Sequence, residues 1–262
     1  MKAHPTAIID KGAEIGDAEI GPYCVVGDGV KLHDGVELKS HVVVEGLTEI
    51  GANTQIYPFC VLGEPPQHLG CKGEGARLVI GSGNIIREHV TMHRGTIAGG
   101  ALTSVGDGGF FMAGSHVAHD CHIGNKVIFA NGAAIGGHGR IGDFAFLGAF
   151  CAIHQHCRIG DHAFIGGCAA VTTDVIPYAS AVGNHARLVG LNVVGLKRRG
   201  FSRETIHKIR AAYRMLFFGD AVFRDRLEAV RQKFSASEEV RHIIDFIDVD
   251  KARPLMTAAR ED

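Results

Sequence analysis

An aliphatic side chain recurs every sixth residue along most of this chain, and that period limits the possible folds more than any other feature. Stepping by six from Ile20 reaches Val26, Leu32, Leu38, Val44, Ile50, Ile56 and Leu62. The frame returns at Ile80, Ile86 and Met92. It then runs from Val105 through Phe111, Val117, Ile123, Phe129, Ile135, Ile141, Leu147, Ile153, Ile159, Ile165 and Val171. About half of all residues are apolar in an average protein, so twelve successive hits arise by chance at about one in several thousand. Glycine follows many of these positions, as at Gly21, Gly27, Gly51, Gly124 and Gly142. Six residues do not fit the 3.6-residue helical period, but they accommodate one short strand and one turn.

Three such units close a triangular coil of about 18 residues, and neighbouring coils stack about 4.8 Å apart as parallel strands do. The expected fold is therefore a mainly β, parallel β-helix of hexapeptide repeats. Chains with this repeat coil left-handed, against the usual right-handed crossover rule. Gly, Asn53, Asn84, Asn125 and Asn131 suit turn positions with positive φ. The frame breaks at 63–79 and 93–104, which read as loops thrown out from the corners, and a one-residue slip between Ile15 and Ile20 reads as a bulge. After Pro177 the repeat stops. Ser202 is placed to cap a helix carrying Ile206, Ile209, Tyr213, Leu216 and Phe217, and Ala221–Phe234 and Glu238–Ile247 read as further helices. The expected organisation is a β-helix over 1–189 and a C-terminal α-helical domain over 190–262 that covers the open end of the solenoid.

Composition removes several function classes. Net charge is −1, so no global field favours nucleic acid or an anionic membrane. No window approaches 18 uninterrupted apolar residues, so no integral membrane segment is expected, and the start of the chain lacks an apolar signal-peptide core. The seven cysteines have no CxxC spacing and read as free buried thiols, which fits a cytoplasmic location.

The chain holds 16 histidines, and the informative ones cluster in the middle coils. His119, His138 and His154 follow Val117, Ile135 and Ile153, frame positions 18 apart, so they are expected near one corner of successive coils, with His93 beside them. His116, His119 and His122 have a spacing that suggests zinc, but strand alternation would turn His119 away from the other two. A hydratase of the γ-carbonic-anhydrase type would show an H-x4-H pair, and no two histidines here are five apart. Cys121 and Cys151 fall where small apolar residues pack, which argues against nucleophilic thiols. Neither a metal nor another cofactor is therefore expected. General-base catalysis needs one imidazole and an oxyanion donor, for which His119 and the amide of Gly137 are the candidates. Asp120 can orient His119 only if the backbone turns between them. The basic run Lys197-Arg198-Arg199 suits a nucleotide diphosphate.

The stretches Thr91-Met92-His93-Arg94-Gly95, His116-Val117-Ala118-His119-Asp120-Cys121, Gly183-Asn184-His185-Ala186 and Gly195-Leu196-Lys197-Arg198-Arg199-Gly200-Phe201-Ser202-Arg203-Glu204 carry a specific resemblance. They resemble the acyl-[acyl-carrier-protein]–UDP-N-acetylglucosamine O-acyltransferases of lipid A synthesis, over the whole chain. The resemblance implies a homotrimer with active sites between subunits. It also implies transfer of an R-3-hydroxyacyl group from acyl carrier protein to the 3-position of a UDP-amino sugar. His119 takes the place of the general base with Asp120 beside it, and Gly137 that of the oxyanion donor. His68, His93, His116, His138, His154 and Gln155 match sugar- and phosphate-lining positions. Asn192, Arg198 and Arg199 match the nucleotide end, and Gly167 matches the position that sets acyl length. Where this family commonly carries Asp and Lys in the first loop, this chain has His68 and Gly70. Val194 stands where an acidic residue is often found and His156 where Phe is usual. These departures leave open a 3-amino rather than a 3-hydroxyl acceptor.

Overall fold

The structure is a computed structural model that describes residues 1–71, 75–249 and 252–259. Most strands are two residues long, and each pairs in parallel with the strand one coil away, forming three walls of eleven, nine and eight strands. The result is the expected left-handed parallel β-helix with a helical cap. The frame residues stack along each wall, as Val117 does on Ile135 and Ile135 on Ile153.

Each rung has two inward positions, the frame residue and the residue two before it. The second set is small: Ala18, Val36, Val127, Ala145 and Ala163 follow one edge, while Cys24, Cys60 and Cys151 follow another and Cys121 and Cys157 the third. These five thiols are therefore packing residues, and burial pushes Cys60, Cys121 and Cys151 up to about 12. Cys168 is exposed and Cys71 half-buried, unlike the buried thiols expected throughout.

The corners differ from the asparagine-rich turns anticipated. Asn53 has positive φ, but Asn84, Asn125 and Asn131 do not. Left-handed backbone falls instead on Tyr23, His41, Phe59, His89, Asp120, His138, Phe144, His156, His162 and Tyr178. This conformation aims each corner N–H along the axis, as His138 to the His119 carbonyl and His156 to that of Gly137, both 3.0 Å. It costs a non-glycine residue about 1 kcal/mol or more. Ring stacking offsets part of that: Tyr23, His41, Phe59 and His89 form a column with centroids 5.0–5.1 Å apart, and Phe144 and His162 lie 4.8 Å apart.

The first coil has 17 residues instead of 18, since Lys2 pairs with Glu19 whereas Glu19 pairs with Glu37. The slip is thus a shortened corner at Gly16-Asp17, with Ala18 N–H donating to the Gly16 carbonyl, and not a bulge. Both interruptions leave the edge between the second and third walls, but they are shorter than anticipated because strands Val61–Glu64, Arg77–Ile80, Thr91–His93 and Leu102–Val105 extend into them.

Pairing also outlasts Pro177, since Phe164 and Ile165 pair with Ser180 and Ala181. An antiparallel partner, Arg187–Leu191, and helix α1 (Val193–Arg198) follow, neither of which the hydrophobic period revealed. Helices α2 (Arg203–Phe217), α3 (Phe223–Lys233) and α4 (Glu238–Asp248) match expectation, and the Ser202 hydroxyl accepts from Thr205 N–H at the start of α2. Arg158 fastens the cap. Its guanidinium pairs with Asp174 at 2.8 Å, donates to the Phe246 and Val249 carbonyls, and lies 4.4 Å from the Phe246 ring centre. Asp174 is itself bridged by Pro254 and Met256 through its backbone. Among the described residues, no helix is long and apolar enough to cross a membrane.

Asn84 follows Thr54 as a buried polar residue in an otherwise small, apolar column. It is fully buried, donates to the Gly81 and Gly106 carbonyls at 2.9 Å, and accepts from Gly109 N–H at 2.7 Å. Truncation strands the Gly106 carbonyl and the Gly109 N–H, while the Gly81 carbonyl keeps the Thr54 hydroxyl at 3.1 Å, so Asn84→Ala is expected to lower unfolding free energy by about 2–4 kcal/mol in urea titration.

Candidate active site

Both loops and the central histidines occupy one edge of the prism, between the second and third walls. His119 and Asp120 form the turn after the strand His116–Val117. Neighbouring side chains on a straight strand diverge, but Asp120 has φ 58°, and this brings its carboxylate back to its neighbour. Asp120 Oδ2 lies 2.8 Å from His119 Nδ1. Asp120 is buried, and the second loop closes over it. Thr96 N–H donates to Oδ1 at 2.7 Å and the Thr96 hydroxyl to Oδ2 at 2.8 Å. Burial opposes the charge, but the bonds from His119 and Thr96 overcome it and hold the carboxyl below its ordinary range.

His138 is one coil further on. Its ring lies edge-on to His119, centroids 5.2 Å apart, and its Nε2 is 3.7 Å from Asp120 Oδ2. Burial lowers its proton affinity against the pull of Asp120. Gly137 explains why no side chain separates the two: a Cβ there would sit 2.6 Å from His119 Cε1 and 2.7 Å from Nε2. His68, from the first loop, meets His119 edge-on at 5.6 Å. Together these groups line a groove of about 600 Å³, bounded also by Cys71, Thr96 and Ile97. A larger cavity, of about 1090 Å³, lies between α3 and the segment around Pro254, and none of His68, His119 and His138 lines it.

His93 and His116 form an adjoining pair, 5.0 Å apart. His93 is buried with Nδ1 lacking a partner among the described residues, and burial lowers its proton affinity. His116 Nδ1 is 2.7 Å from Thr91 Oγ1, and burial, with His93 adding to it, pushes its pKa down to about 4. His154 lies on the same edge but does not join the ring cluster. It is exposed and bonds Arg253 at 2.8 Å, while Gln155 offers its carbonyl to the same guanidinium. His156 takes the stacking position instead, parallel to His138 at 4.5 Å.

The zinc triad weighed from spacing is not assembled. His116 and His122 do not share a face, because the corner at 119–120 places them on different walls, and His122 bonds Ser104. Among the described residues, the one group compact enough to gather a metal ion is His119, Asp120 and His138, whose ligand atoms lie within 4.8 Å of one another. Both Asp120 oxygens in it are already engaged by Thr96 and His119.

The basic end sits on another edge, between the third and first walls. Arg199 lies 4.5 Å over the Phe144 ring and donates to the Phe144 carbonyl, while Arg198 is exposed. Asn192 is occupied structurally, donating to the His162 carbonyl and capping α1 at Gly195 N–H, and Val194 is exposed on α1. Gly167 is exposed on the third edge, where a Cβ would meet the Ala149 carbonyl at 3.3 Å. Sequence reasoning missed Thr96, Thr103 and Arg253. Thr96 directly follows the His93-Arg94-Gly95 motif, which was its only signal.

Residues 138–173 match the bacterial transferase hexapeptide (six repeats) family, and 174–256 match domain 2 of the UDP N-acetylglucosamine O-acyltransferases. The acyl-[acyl-carrier-protein]–UDP-N-acetylglucosamine O-acyltransferase of Caulobacter vibrioides is 57% identical over 262 residues, covering 100% of both chains. The chain belongs to this acyltransferase family. Solved family members agree in shape. The UDP-N-acetylglucosamine O-acyltransferase of Moraxella catarrhalis is 38% identical and superposes with a TM-score of 0.95 over 98% of this chain and 100% of its own. For the Francisella novicida acyltransferase the values are 34%, 0.94, 98% and 95%.

Since His116 is held neutral when folded, the unfolded chain binds the extra proton first as pH falls below about 6.5. Stability is expected to decline from there toward pH 4, where the folded residue titrates. His116→Gln should make the decline shallower, as read from denaturation midpoints across that range.

Proposed function

We propose that this acyltransferase moves a 3-hydroxyacyl group from the thioester of acyl carrier protein to the 3-hydroxyl of UDP-N-acetylglucosamine, the first step of lipid A biosynthesis. The observation that carries the mechanism is the imidazole of His119, fixed at Nδ1 by buried Asp120 and facing the groove beside Gly137.

With Nδ1–H donating to the carboxylate, Nε2 is left as the base. The sugar hydroxyl attacks the thioester carbonyl as Nε2 takes its proton, and the Gly137 N–H receives the developing oxyanion. Among the described residues that N–H has no protein acceptor. Collapse of the tetrahedral intermediate breaks the C–S bond, and the carrier thiolate recovers the proton from the imidazolium. The hydrogen-bonding groups of His93, His138 and His68 line the way for the sugar.

The reading extends to a homotrimer. His119, Arg199 and Gly167 lie on three different edges of one prism. A single substrate that meets the base, the phosphate-binding arginines and the acyl-length position must therefore lie between neighbouring copies. Three-fold closure supplies that cleft at each contact.

His119→Ala is expected to lower kcat by about 100-fold or more with folding intact, the usual share of a general base. Gly137→Ala should also depress kcat with little change in Tm, because the atoms its methyl meets most closely all belong to the His119 ring, which it pushes from its place, and none to the backbone. Unchanged turnover in His119→Ala, assayed with the UDP-sugar and an acyl carrier protein thioester, would remove the mechanism. Co-expressing His119→Ala with Arg199→Ala subunits should recover part of the activity absent from either alone. No recovery would place the whole site within one chain.

A further inference from the structure

We infer that Thr96 is a positioning residue, and that the inserted loop after His93 serves as a clamp that holds Asp120 in one rotamer and so sets the tautomer and orientation of His119. The inference rests on the proposed role of His119 as base.

The second interruption adds seven residues to the frame, from Met92 to Val105, without contributing a rung. Its path is determined by Asp120. Thr96 donates twice to that carboxylate, once from the backbone to Oδ1 and once from the hydroxyl to Oδ2. The same hydroxyl accepts from Gly99 N–H at 3.0 Å and so caps the short 3-10 turn Ile97–Gly99. One hydroxyl thus ties the loop's own turn to the catalytic carboxylate.

The loop backbone also wraps closely. A Cβ on Gly99 would fall 2.3–2.6 Å from the Asp120 carboxylate atoms, and one on Gly95 would fall 2.9 Å from Oδ1. From the other side, Thr103 Oγ1 accepts from Asp120 N–H at 2.8 Å, fixing the left-handed corner. After these contacts, Oδ2 is left facing two imidazoles, His119 Nδ1 at 2.8 Å and His138 Nε2 at 3.7 Å, and only the first is within hydrogen-bond distance. An Asp120 so held accepts from Nδ1–H and leaves Nε2 unprotonated on the groove side. Without the hydroxyl, Oδ2 loses a donor, the 3-10 turn loses its cap, and the carboxylate gains freedom to rotate. Misalignment of a catalytic group by about 1 Å costs about 100-fold in rate.

The test compares Thr96→Ala and Thr96→Ser in the full chain. Three readings are taken: kcat and KM with UDP-N-acetylglucosamine and an acyl carrier protein thioester, ¹⁵N NMR of the His119 imidazole at neutral pH, and Tm. Thr96→Ala should lose about 10- to 100-fold in kcat with KM within about twofold, and its ¹⁵N signals should show mixed tautomers. Thr96→Ser, which keeps the hydroxyl, should return both readings to near wild type. Wild-type kcat with a single Nδ1–H tautomer in Thr96→Ala overturns the inference, as does an equal loss in Thr96→Ser. If Thr96→Ala does not fold, a tautomer mixture or lost kcat in folded Thr96→Ser overturns it too. The NMR reading needs no turnover. Failure of the acyltransferase reading appears as an inactive wild type, while the tautomer comparison still decides the clamp.

Discussion

Stacking of like upon like along the coil axis governs this molecule. A frame residue gains its burial only when the adjacent coil presents another apolar residue at the same wall position, and a corner N–H such as that of His138 or His156 finds its carbonyl only if the neighbouring corner lies directly in line with it. Registry between coils is therefore enforced twice, by apolar contact inside and by hydrogen bonds at the corners. Burying one such aliphatic side chain contributes about 1.5–3 kcal/mol. That rigidity lets residues far apart in sequence, such as His68, His119 and His138, meet within a few ångströms.

The site exploits the one freedom that stacking leaves, which is to add chain at an edge. Both insertions leave the same edge, and each brings a group to His119: the first loop its imidazole at His68, the second its clamp on Asp120. The left-handed corner that serves elsewhere as a stacking position serves at Asp120 to fold a carboxylate back onto the preceding residue. Structural and chemical demands coincide at that residue. A low-lying Asp120 is a product of the site's hydrogen bonds, which outweigh its burial.

Much of the architecture was legible because a six-residue period has few physical solutions. The frame residues, the two loops, the three long helices and the grouping of His119 with His138 followed from spacing alone. Other parts were not. Periodicity reports which residues point inward, so it was silent on the corners, where Tyr, Phe and His adopt positive φ through stacking contacts that no local propensity encodes. It also placed His154 with the other imidazoles, whereas Arg253, distant in sequence, draws it to another partner. The short helix α1 and the strand Arg187–Leu191 escaped because neither spans enough residues to show a period. Thr96 was invisible for a different reason: its partner is a carboxylate one coil on, across an irregular loop.

The fastening of Arg158 to Asp174 bears on the order in which the molecule can assemble. Asp174 receives its backbone partners from Pro254 and Met256, and the guanidinium of Arg158 is roofed by Phe246 and Val249. A growing chain exposes those last rungs well before the segment that seals them has been made. Until it arrives, the solenoid ends in an open strand edge with a charged pair facing water, a template for other chains. Completion of the cap thus closes this end of the stack, while the strands of the first coil stay as sheet edges at the other.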